Sequence, residues 1–147
     1  MRSIENQIKE DIIKYLQEDN TFTNVMVKLS YEVPNKVSYP LVVITELVNS
    51  ENTKYSTDKG EQVTNLSYQI DSICDTTQVS DGTILDASRS AKLLGTKISK
   101  LLGGEKYKLE RKGDDPLVAI NSDRTIMRYI NRYECCLFLK QNIIYRR

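Results

Sequence analysis

The chain has 147 residues, 39% hydrophobic and 28% charged, the size of one ordinary domain whose core can hold without metals or disulfides. Its 21 basic and 20 acidic side chains leave a net charge of +1, and that balance argues against a protein dedicated to gripping nucleic acid, which needs a basic excess. Apolar stretches such as LVVI (41–44), and the more mixed IDSIC (70–74), fall far short of the roughly 20 residues of a membrane helix, and the charges interleaved in MRSIENQIKEDIIKYL do not make a signal peptide.

Residues 3–18 predict an amphipathic helix. Ile4, Ile8, Ile12 and Leu16 form one row, widened by Ile13 and Tyr15, with Ser3 as a cap and Asp19-Asn20 as the stop. VMVKLSYEV (25–33) alternates, with Val25, Val27, Leu29, Tyr31 and Val33 on one face, the pattern of a half-buried strand. After a loop bracketed by Pro34 and Pro40 comes YPLVVITELV (39–48), apolar on both faces, as a strand central in a sheet or covered on both sides would be. NLSYQIDSIC (65–74) places Leu66, Tyr68 and Ile70 opposite Ser67, Gln69 and Asp71. It predicts an antiparallel partner for the preceding strand.

Asp81, in the loop DTTQVSDGT (75–83), is a cap for the helix that follows. In that helix Ile84, Ala87, Ala91, Leu94, Ile98 and Leu101 recur at helical spacing, Ser88, Ala91 and Gly95 offer a small-residue side, and Gly103-Gly104 is the stop. Beyond lie YKLER (107–111), the turn KGDDP, LVAI (117–120) and a last strand within 124–140. There Met127, Tyr129, Tyr133 and Cys135 alternate with Arg128, Arg132 and Glu134, and Asn131 is the polar member of the first face. The order predicts an α+β fold over a single domain, 1–147: a mostly antiparallel sheet, two helices packed on it, and a long protruding β-hairpin.

Catalytic chemistry finds no support. The chain has no histidine, which removes the common serine triad and the Cys-His pair. The three cysteines, Cys74, Cys135 and Cys136, are odd in number and lack C-x-x-C spacing. They read as reduced thiols in a reducing compartment, not as a metal cluster or a disulfide framework. GDDP with Asp123 has the acidity of a metal site but the composition of an exposed turn, and the glycines of GTKISKLLGGEK end a helix where a phosphate loop would begin one. No catalytic, cofactor-binding or metal residue is assigned.

Two surface features remain. Arg124, Arg128 and Arg132 are four apart, and on a strand Arg128 and Arg132 share a face. They form either a basic row facing a nucleic-acid channel or a solvated row paired with Glu110, Asp123 or Glu134. The second feature is VNSENTKYSTDKGEQVTN (48–65), a polar excursion much longer than the usual connection of about 4–6 residues. Glu51, Lys54, Tyr55, Asp58, Lys59 and Glu61 make it either a plain solvent loop or an interaction arm that orders against a neighbour, with Tyr55 as its anchor.

The succession YPLVVITEL, LSYQIDSIC, ILDASRSAKLLGTKISKLLGG and RYECCLFLK resembles the tail terminator, or tail completion, proteins of tailed bacteriophages and of phage-tail-like bacteriocins. The similarity spans nearly the whole chain and rests on the order and character of the elements. It implies a structural virion protein, not an enzyme, that forms a hexameric ring at the head-proximal end of the tail. There the ring stops tube polymerisation and provides the joining surface for the neck. The implied partners are further copies of the chain, the tail tube protein, a neck or head-completion (stopper) protein and the sheath, with DNA only in passage and no membrane. The implied location is the virion tail or neck, after assembly in the bacterial host cytoplasm. The 48–65 hairpin would reach onto the tube or the adjacent subunit, and Arg128 and Arg132 would face the lumen. The alternatives are another phage neck or tail component, such as a head-tail connector or tube-like subunit, and a cytoplasmic binding module unrelated to phage.

Overall fold

A computed structural model describes residues 4–51, 63–104, 107, 109–112, 115–138 and 143–145. Two helices lie on one face of a mostly antiparallel sheet, an α+β arrangement. Helix α1 (Ile4–Asp19) sinks Ile8, Ile12 and Leu16 into the core and stops where Asn20 turns to a φ of 60°; the proposed Ser3 cap lies outside the described residues. Strand β1 (Met26–Leu29) is shorter than its alternation predicts. The chain leaves extended geometry at Ser30–Glu32, where the Glu32 carboxylate accepts the Leu29 N–H at 3.1 Å, and Tyr31 and Val33 are exposed. The reason is topological: β1 pairs in parallel with β2 (Leu41–Glu51), and parallel neighbours need a crossover instead of a tight turn.

Strand β2 is central, between β1 and β3 (Val63–Cys74). The β2–β3 pairing is antiparallel from Leu41↔Ile73 to Glu51↔Thr64, with a bulge between Glu46 and Val48. The two-residue strands β4 (Thr77–Gln78) and β5 (Ile84–Leu85) pair with each other and lead into α2 (Ala87–Leu102). The cap of α2 is Asp86, whose side chain accepts the Arg89 N–H at 2.8 Å; Asp81, the sequence-predicted cap, instead accepts the Thr83 N–H at 2.8 Å inside the preceding turn. Because the helix begins only at Ala87, Ile84 falls outside its apolar row and is exposed. Gly103 ends the helix as predicted, its N–H donating to the Ser99 carbonyl at 2.9 Å.

The longest strands are β3 and β8 (Met127–Phe138), paired in register from Val63↔Phe138 to Cys74↔Met127. With β3 on one edge of β8, the other edge takes three short strands: β7 (Leu117–Ala119), β6 (Glu110–Lys112) and β9 (Ile143–Tyr145). Helix α1 lies over β1 and β2, and α2 over β3 and β8. Alternation therefore sends Val27, Leu29, Val42, Ile44, Tyr68, Ile70, Met127 and Tyr133 into one core with the two helices. Each large apolar side chain so buried contributes roughly 1.5–3 kcal/mol. Cys74 belongs to that core, and burial pushes its thiol up to about 12. Among the described residues no helix is long and apolar enough to cross a membrane.

Helix α2 comes very close to β8 at Gly95. A Cβ on Gly95 would lie 2.5 Å from Tyr129 Cδ2 and 2.9 Å from Asn131 Oδ1, so glycine lets the helix backbone sit directly on the strand. The small side of α2 is thus Ala87, Ser90, Ala91 and Gly95, all buried, with Ser88 only half-buried. Asn131 is 1% exposed, and neither polar atom of its side chain has a partner in the structure; Ser72 Oγ on the same face of the sheet also has none. Such groups are costly when left dry.

Candidate protein-interaction surface

The face of the sheet away from the helices is built by the other half of each alternation: Val43 and Thr45 of β2, Ser67, Gln69 and Asp71 of β3, Val118 of β7, and Arg128, Ile130, Arg132 and Glu134 of β8. Neither helix reaches it. The bulge in β2 sets two successive residues, Leu47 and Val48, against a single partner position. Both stand out from the surface, at 46% and 44% exposure. Beside them Leu47, Ser67, Pro116, Ile130, Arg132 and Glu134 line a depression of ≈ 410 Å³. With Lys112 it is lined by a mixture of apolar and charged side chains.

Arg128 and Arg132 do share a face, and the pairing of β8 begins at Met127, so Arg124 does not join them: it sits in the preceding loop with a φ of 60°. Nor do these arginines stand free or meet Glu110, Asp123 or Glu134. Arg128 Nη1 lies 4.0 Å from Asp71 Oδ2, Gln69 Nε2 donates to Asp71 at 3.0 Å, and Arg132 Nε donates to Gln69 at 3.4 Å. The four side chains form one polar line across β3 and β8. Burial pushes the Asp71 carboxyl above its ordinary range, and the Gln69 hydrogen bond and the two arginine charges only partly offset it. The pattern placed Gln69 and Asp71 on this face, but only the β3–β8 register could assign them to Arg132 and Arg128.

Of the arm residues, Glu51 ends β2; Lys54, Tyr55, Asp58, Lys59 and Glu61 lie outside the described residues. Asp115 of GDDP does not gather with Asp123, and Asp114 lies outside the described residues. Asp115 pairs with Arg111, whose guanidinium also donates to the Tyr129 hydroxyl at 3.3 Å, while Asp123 accepts from the Thr125 hydroxyl at 3.0 Å in its own loop. Among the described residues no three metal-ligating side chains converge. Tyr133, which the alternation sets on one face with Met127 and Tyr129, has its hydroxyl 2.6 Å from Ser99 Oγ, and burial pushes its pKa up to about 12. That contact ties α2 to β8.

Comparison with known proteins gives no match, either to a protein-family model or to a curated sequence.

Proposed function

We propose that this chain is a structural assembly protein of the tail terminator type, acting by shape and contact without catalysis. Copies close into a ring, six by the resemblance, on the head-proximal end of a phage tail; the ring stops tube growth and presents a surface to the neck. The observation that carries the reading is the open sheet face, where Leu47 and Val48 are nearly half exposed on the strand that runs toward residues 52–62. A patch that mixes exposed apolar and charged side chains, paired with a different patch on the next copy, suits a head-to-tail ring, because such contacts close when their rotation closes. The arm of residues 48–65 would add the contact to the tube or to the neighbouring subunit.

Light scattering after size exclusion, with negative-stain images of the full chain, tests this directly. Closed rings and capped tubes support the proposal. Long cylinders would identify a tube-like subunit instead, and a strict monomer at high concentration that ignores tail tubes would sink it. Deleting residues 51–61 is expected to leave the thermal unfolding of the subunit nearly unchanged while abolishing attachment to tubes; normal attachment would remove the arm from the proposal.

A further inference from the structure

The overall charge balance conceals a segregation. Helix α1 carries Glu5, Glu10, Asp11, Glu18 and Asp19 against Lys9 and Lys14. Helix α2 carries Arg89, Lys92, Lys97 and Lys100 and has no acidic residue between Ala87 and Leu102. Its inward side is fixed by the buried row Ala91, Leu94, Ile98 and Leu102, so its outward side is Arg89, Lys92, Thr96 and Lys100, all exposed. At 1.5 Å rise per residue, Arg89 to Lys100 is a straight row about 16 Å long.

We propose that this outward face of α2 is a docking surface for the phosphate backbone of duplex DNA, read without regard to sequence. Among the described residues Arg89, Lys92 and Lys100 form no ion pair, whereas Lys97, at the flank, is held by Asp19 at 3.1 Å. The carboxylate nearest the row in sequence, Asp86, is occupied by the helix cap. Arg128 and Arg132, the sequence-predicted basic row, are tied to Asp71 and Gln69. Arg89, Lys92 and Lys100 are thus a row of cations without ion pairs among the described residues, on a helix packed against the other face of the sheet from Arg128 and Arg132. A rigid row about 16 Å long covers the axial rise of roughly five phosphates of one strand, at one charge per 3.4 Å of duplex axis per strand. An anionic membrane fits less well, because the row holds no apolar side chain to insert between its cations. A second copy fits less well too, because on α1 Asp19 is engaged by Lys97 and Thr21. The inference goes beyond the assembly reading and does not depend on it.

Fluorescence anisotropy of a labelled duplex of roughly 25 base pairs, titrated with the full chain between about 20 and 200 mM salt, is the test. Three phosphate contacts predict a log–log salt slope of about −2.7 per subunit, with light scattering on the same samples giving the number of subunits. Substituting Arg89→Gln, Lys92→Gln and Lys100→Gln together is expected to weaken binding at least tenfold at about 50 mM salt. Removing as many exposed cations elsewhere, by Lys14→Gln, Lys36→Gln and Arg124→Gln, is expected to change it less than twofold. Circular dichroism confirms that both variants fold. No binding at the lowest salt, equal losses in the two triple variants, or stronger retention by anionic vesicles or polyglutamate than by DNA would each overturn the proposal.

Discussion

Tyr68 and Gln69 are neighbours on β3, yet one is fully buried beneath the helices and the other lies half-exposed on the far face beside Arg132. The same division runs through Ile44 and Val43, and through Tyr133 and Arg132. The helix-side face is closed by apolar contacts and by one very close backbone approach at Gly95. The far face is held together by a polar line, Arg128–Asp71–Gln69–Arg132; it buries Ile130 but leaves Leu47 and Val48 nearly half exposed. The first face carries stability; the second has surface to spare for another molecule. The lesson is that a two-layer fold can separate the two tasks by a single residue of offset along a strand.

Substitutions that compare the faces should show the difference at its largest. Ile44→Ala, at a fully buried position, is expected to cost about 2–5 kcal/mol through lost burial and the cavity left behind. Leu47→Ala, three residues on and on the open side, is expected to stay within about 0.5 kcal/mol in the isolated subunit. Urea unfolding of both variants checks this, and equal losses would mean that the second face is already covered in the free chain. Gly95→Val should be next in size. The added atoms meet Tyr129 and Asn131, and overpacking of this kind costs about 1–3 kcal/mol, read as a drop in urea midpoint. A change near zero would show that α2 can ride away from β8.

The smallest expected effect is on the open face and depends on pH. Folding raises the Asp71 pKa, so the folded chain holds that proton more tightly than the unfolded one. The stability this supplies is fully present below the unfolded carboxylate pKa of about 3.9 and is lost as pH rises through the raised folded value. Asp71→Asn cannot ionise and should remove that fall. Urea midpoints from about pH 3 to about pH 8 should therefore decline less steeply in the variant over this window. A steeper decline in the variant would mean that Arg128 outweighs burial at this site.

Much of this contrast is legible in the chain before any coordinates. The row Ile8, Ile12 and Leu16 and the alternation of Leu66, Tyr68 and Ile70 name one face of α1 and of β3, because periods of 3.6 and 2 leave a direct trace in composition. The ends of elements are harder. VMVKLSYEV alternates through Val33, but the chain turns at Ser30 to reach a parallel partner, and Asp81 has cap chemistry while Asp86 has the cap position. The candidate surfaces divide in the same way. That Arg128 and Arg132 share a face follows from spacing. That Asp71 and Gln69 engage them follows from pairing strands some sixty residues apart. Nothing in a net charge of +1 points to the cations of α2; the buried row opposite them is what shows that Arg89, Lys92 and Lys100 face outward.

Local order thus belongs to the sequence: which segments are helix or strand, which side chains share a face, and where glycines stop α2. The tertiary structure decided which faces meet, that β1 runs parallel to β2, that β8 joins β3 along its whole length, and which charges are left unpaired. The division has a physical cause. Periodicity and capping act within a few residues of chain, whereas register, burial and ion pairing are settled by contacts between segments whose separation the sequence does not encode locally.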